Sequence, residues 1–180
     1  MASPTPVDDP TRPRWSPARV IVVTLVVAMV AMWTYVLYLA IGPGRQPPPD
    51  RLGNPAFAIA AQSRCEGAHA VVDQLPTANE ATDATAQAAI VDDANAAFDA
   101  MLSDLAAIVP PGDDGDLATA WLADWRTYLG DRERYAQALR VDPEARLLVT
   151  PKDREQITEF IDAFAADNRM IACGTPLDVG

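Results

Sequence analysis

The chain has 180 residues, with 14 basic and 25 acidic side chains, a formal charge of −11, 16 prolines and two cysteines. That length fits one small domain with attachments, and the scarcity of positive charge argues against a nucleic-acid binder, which needs a basic patch to neutralise phosphates. An apolar content of 49% excludes a wholly disordered chain.

Residues 1–19 carry five prolines, three arginines and two aspartates. They hold too few apolar side chains to bury a core and read as a disordered tail. Residues 20–41 are 22 consecutive positions without a charge, a proline or a glycine. As a helix they would be about 33 Å long, enough to cross a hydrocarbon layer of about 30 Å. Trp33, Tyr35 and Tyr38 gather toward the end of the run, where amphipathic rings favour the headgroup region. A cleaved signal peptide shares the basic flank, but its apolar stretch is normally about 7 to 15 residues. A core helix of a soluble protein would show a polar face.

Orientation follows from charge and cysteines together. The three arginines before the span give a small excess on that side, which predicts a cytoplasmic N-terminus. Residues 42–180 carry 11 basic and 23 acidic side chains and both cysteines, Cys65 and Cys173. Paired cysteines belong where disulfides persist, so this part is expected outside the cytoplasm. Within it, residues 65–125 hold 12 acidic side chains and no lysine or arginine. That pattern fits a solvated helix face, or an acidic surface that meets a cationic partner.

Residues 42–53 are proline-rich and read as a stiff spacer. Residues 54–180 read as a helical domain. Asn54-Pro55 predicts a helix start, with Phe57, Ala61, Cys65, Ala68, Val72 and Leu75 on one stripe and Pro76 closing it. Thr77 and Glu80 have the spacing of a capping box, with the true start able to slip toward Thr82. The next helix shows Val91, Ala94, Phe98, Met101, Leu105 and Ile108 at three-four spacing and ends at Pro110-Pro111. Asp116 is the expected N-cap of a third helix over residues 117–140, and Thr150-Pro151 the expected start of a fourth, with Ile157, Phe160, Ile161 and Phe164 facing inward and Asn168 as its stop. The predicted fold is therefore all-α: one N-terminal transmembrane helix followed by a bundle of about four helices.

Cys65 and Cys173 favour a disulfide closing nearly the whole domain, over two free thiols or a metal site with His69 that lacks a fourth ligand. Asp113, Asp114 and Asp116 lack the spacing of a calcium loop and serve better as turn and capping residues. Trp121, Trp125, Tyr128, Arg132 and Tyr135 share one face of the third helix. They form either a binding face or the core of the bundle, with Arg132 paired to an acid of a neighbouring helix. With one histidine and two serines, Ser63 and Ser103, in the distal part, no triad or phosphate loop can be assembled. No enzyme, metal or cofactor is expected.

The W-L-x-D-W-x-x-Y-L-x-D-R-x-x-Y-A stretch at residues 121–136 and the I-T-E-F-I-D-A-F-A-x-x-N-x-M-x-x-C segment at 157–173 follow an apolar span and an alanine-rich region with an early cysteine. In this order the chain resembles small uncharacterised membrane proteins of high-GC Gram-positive bacteria. The resemblance implies location and architecture and carries over no functional residue. The expected role is that of a membrane-anchored interaction or accessory module with a protein partner in the cell envelope. A small-molecule or lipid-binding bundle is the alternative, and an envelope hydrolase a more distant one.

Overall fold

The structure, a computed structural model, describes residues 16–41, 48–77 and 80–178. Of the expected disordered tail over residues 1–19, residues 1–15 lie outside the described residues, as does the first half of the spacer, and Pro17–Arg19 belong to a helix. The chain divides into two units, Met1–Pro47 and Pro48–Gly180.

In the first unit, helix α1 spans Pro17–Ile41. Ser16 caps it, its hydroxyl accepting from the Arg19 amide at 3.3 Å. The hydroxyls of Thr24 and Thr34 donate back to the carbonyls of Val20 and Val30 at 2.9 and 2.8 Å, so neither polar group needs water. The Pro17–Ala40 stretch has a mean hydropathy of 2.5 and none of it is buried. Apolar on every side and uncovered on every side, it is long enough to cross a membrane.

The second unit holds the other helices: α2 (Ala56–Val72), α3 (Ala84–Ala106), α4 (Asp113–Leu139) and α5 (Ile157–Asp167). Asn54 starts α2 through its Oδ1, which accepts from the Ala56 amide at 2.9 Å, while Pro55 already has helical dihedrals. Phe57, Ala61, Cys65 and Ala68 of the expected stripe are buried, and Val72 and Leu75 pack partly against the core.

Three helix starts differ from expectation. The Thr77–Glu80 bonds form, with the Thr77 amide and hydroxyl donating to the Glu80 carboxylate at 2.9 and 3.0 Å, but they close an isolated turn. α3 is capped by Asp83, whose Oδ1 accepts from the Ala86 amide at 2.8 Å. Asp116 is not the cap of α4: the helix begins at Asp113 after Gly112, whose φ of +80° glycine alone adopts readily. The acidic loop is thereby drawn into the first turn, where carboxylates oppose the positive helix end.

Thr150-Pro151 starts no helix. Pro151–Lys152 (β1) and Glu155–Gln156 (β2) form a small antiparallel hairpin, turned by Asp153 and Arg154, both with positive φ. That pair of left-handed residues is what a two-residue primed turn requires. α5 therefore begins only at Ile157, and the fold is mostly helical with a hairpin inserted.

The second half of the proline-rich stretch, residues 48–53, joins the distal unit. Leu52 is buried, its amide donating to Asn168 Oδ1 at 2.8 Å, and Asn168 Nδ2 donates to the Asp50 carbonyl at 3.0 Å. Asp114 accepts from the amides of Gly53 and Asn54 at 2.8 and 2.9 Å. The entrance to the domain is thus fastened to the start of α4 and the end of α5.

α4 packs mainly on α3, with α2 against α3 and α5 against α4. Phe98, Leu102, Leu105, Leu122, Trp125 and Ile161 fill the centre. A 3-10 turn, Ile171–Cys173, follows α5 and delivers the disulfide Cys65–Cys173, whose Cα atoms lie 5.1 Å apart.

Candidate functional site

Helix α4 carries the five residues singled out from the sequence, and all of them face inward. Trp121, Trp125, Tyr128, Arg132 and Tyr135 are 2%, 0%, 3%, 0% and 9% exposed. Their spacing of three and four puts them on one stripe, and three of the four rings share a central cluster. Trp121 stacks on Phe164 at 5.4 Å, and Trp125 lies 5.8 Å from Phe98 and 5.9 Å from Tyr128. Both indoles are satisfied inside the fold, Trp121 Nε1 donating to the Ile161 carbonyl at 3.3 Å and Trp125 Nε1 to the Cys173 carbonyl at 3.2 Å. Tyr135 belongs to a smaller cluster with Ala88, Val91, Ala136 and Leu139, and its hydroxyl accepts from Gln87 at 3.3 Å.

Arg132 is the polar centre of this core. Its partner comes from no helix: residues 174–178 run back over the bundle and place the Asp178 carboxylate on two guanidinium nitrogens, both at 2.7 Å. Asn95 of α3 accepts from Nε at 2.6 Å. Above and below, the guanidinium carbon lies 5.5 Å from the Phe98 ring centre and 5.8 Å from that of Tyr128. Burial works against the Arg132 charge, but the bonds and charge of Asp178 outweigh it, so its proton is held more tightly than usual. For Tyr128 burial dominates and raises the phenol above its ordinary value, partly offset by the Arg132 charge.

Asp131, a buried acid next to Arg132 in the chain, is turned the other way. It accepts from the amide and hydroxyl of Thr150 at 2.6 and 2.7 Å and is also reached by Arg134, fixing the approach to the hairpin. Asp162 does the same for residues 174–178, accepting from the Thr175 amide at 2.6 Å and its hydroxyl at 3.1 Å.

Two openings touch this framework. One, of about 110 Å³, lies at the edge of Trp121 beside Asp124, Lys152 and Phe160. Lys152 is paired there with Asp124 at 2.6 Å and sits 4.9 Å over the Phe160 ring. Its volume is below the roughly 300 Å³ at which ligand pockets begin. The other, of about 360 Å³, lies between the end of α2 and α3 and is bounded by Val72, Leu75, Ile90, Ala94 and Asp178, with His69 at its side. His69 is half-buried and presents its ring to Phe98 at 5.5 Å.

Among the described residues no cluster of three or more histidine, cysteine or acidic side chains is placed to hold a metal ion. Sequence reasoning located Arg132 and its need of a counter-ion but missed Asp178 and Asn95. A polar Asn95 one turn after Val91 on the α3 seam was the available signal. Comparison with protein-family models, curated proteins and solved structures finds no match.

Proposed function

We propose that the chain is a single-pass membrane protein of the cell envelope, inserted through α1 with its N-terminus in the cytoplasm. The distal unit then lies outside and serves as an interaction or accessory module. The observation that carries the anchor is that none of the Pro17–Ala40 stretch is buried, its valines, leucines and aromatics being about half accessible on all sides. An apolar surface of that size needs lipid or protein around it. The disulfide supports an oxidising compartment for the distal unit.

The module reading draws on what the distal unit offers to solvent. Its aromatic and arginine face is spent on the core. Ten of the 12 acids between residues 65 and 125 are exposed, among them Asp92, Asp93, Asp99 and Asp104 on α3. An acidic face of this kind favours a cationic partner and speeds its approach at low salt. A reporter active only outside the cytoplasm, fused after Gly180, is expected to be active, and activity of a cytoplasm-only reporter would reverse the orientation. Photo-crosslinkers at Asp93 and Asp104 in native membranes are expected to trap one basic neighbour. Consistently uncrosslinked monomers would overturn the module reading.

A further inference from the structure

The corner around Arg132 has more hydrogen-bonding capacity than the fold uses. Asn95 gives its Oδ1 to the guanidinium, yet the other half of the same amide, Nδ2, is buried and has no partner among the described residues. Asn95 as a whole is only 6% exposed. A buried donor is costly without an acceptor, and the Asp178 carboxylate, held on Arg132, does not reach this one. The corner therefore suits a head group whose oxygens reach the amide as well as the guanidinium.

Asp178 is also a wall of the cleft of about 360 Å³. Pro176 and Leu177 of the same segment line the cleft with it, alongside Val72, Leu75, Ile90 and Ala94, and Leu177 is still 99% exposed. Ionic corner and cleft thus meet at Asp178, the one side chain of residues 174–178 that bonds Arg132, while Pro176 and Leu177 stand at the cleft wall.

We propose that corner and cleft together are a binding site for an organic monocarboxylate with an apolar body, and that Asp178 holds the carboxylate position as a tethered stand-in. The ligand's carboxylate replaces that of Asp178 on Arg132 and accepts from Asn95 Nδ2, and its body covers the apolar lining. Bidentate arginine selects a planar carboxylate, and the Arg132 charge is permanent. Asp73 at the rim of the cleft repels a second negative charge, which disfavours phosphates and dicarboxylates. The volume lies within the range of small-ligand sites. Because the stand-in is tethered, it competes at high effective concentration, and a free ligand binds with an affinity reduced by the fraction of time the segment is displaced. This site goes beyond the anchored-module reading and does not rest on it.

The test uses the full chain in nanodiscs of zwitterionic lipid, titrated calorimetrically with phenylpropionate, with phenylpropionamide and acetate as controls. In Asp178→Asn the dissociation constant for phenylpropionate is expected to fall at least about tenfold relative to the unaltered chain. The amide is expected to bind neither form, and Ile90→Trp, which fills the cleft, to abolish the gain when added to Asp178→Asn. An affinity unchanged by Asp178→Asn, equal binding of the amide, or indifference to Ile90→Trp overturns the proposal. Should Asp178→Asn fail to fold, phenylpropionate is expected to restore its helical circular dichroism at concentrations where acetate does not, and failure of that rescue overturns it equally.

Discussion

Two ion pairs of this protein look alike as distances and differ in consequence. Arg132 has no exposed surface, so removing its partner strands a charge that water cannot reach. Asp178→Ala is expected to cost about 3 to 5 kcal/mol in urea unfolding. The Arg140–Asp92 pair joins side chains that are 39% and 46% exposed, and Asp92→Ala is expected to cost less than about 1 kcal/mol. Equal losses from the two substitutions would show that Arg132 is solvated. The tyrosines beside this network set an alkaline limit. Burial raises Tyr128 and Tyr135 above their ordinary 10.0, so in the folded protein they keep protons that the unfolded chain gives up. Their contribution is complete below about pH 10 and is lost as pH climbs from there toward the folded values. Stability measured across that window is expected to decline, and to decline less in Tyr128→Phe.

Among elements, α4 shows how local preference and packing part ways. Gly115 sits in its first turn, where alanine would be the better helix former by about 1 kcal/mol. A Cβ there would lie 1.9 Å from the Pro110 carbonyl oxygen, a backbone atom that cannot step aside. Gly115→Ala is therefore expected to destabilise by about 1 to 3 kcal/mol, whereas Gly67→Ala on α2, with nothing within 4 Å, is expected to stabilise by up to about 1 kcal/mol. Denaturant midpoints of the two variants check the contrast. The helices themselves were legible because apolar residues recur every three or four positions, from Phe57 to Ala68, Val91 to Leu105 and Trp121 to Leu139. Their starts were less so. Thr77–Glu80 satisfies a capping rule without a helix to cap, and Pro151 reads as a helix start until Asp153 and Arg154 adopt left-handed dihedrals that no spacing announces. Arg132 on an apolar stripe signalled a missing acid. Which acid it was depended on the path of residues 174–178 across the bundle, a tertiary fact with no local trace.

For the distal unit as a whole, the Cys65–Cys173 bond spans a sequence separation of 108. Closing a loop of that size removes about 4 to 5 kcal/mol of conformational freedom from the unfolded state. Reduction, or Cys65→Ala with Cys173→Ala, is expected to lower the unfolding free energy by that order, and an unchanged urea midpoint would contradict it. The same closure governs how the unit responds to force. If the chain is held at Pro48 and pulled at Asp178, tension runs through the sulfur–sulfur bond and bypasses everything between the cysteines. Only residues 48–64 and 174–178 are free to lengthen, to about 75 Å at full extension, against about 440 Å for the reduced chain. A tug at Pro48 would therefore strip the Leu52–Asn168 and Asp114 fastenings and the Arg132–Asp178 pair, yet leave α3, α4 and α5 unloaded. Oxidised, the unit can lengthen only at its two ends, whatever the load.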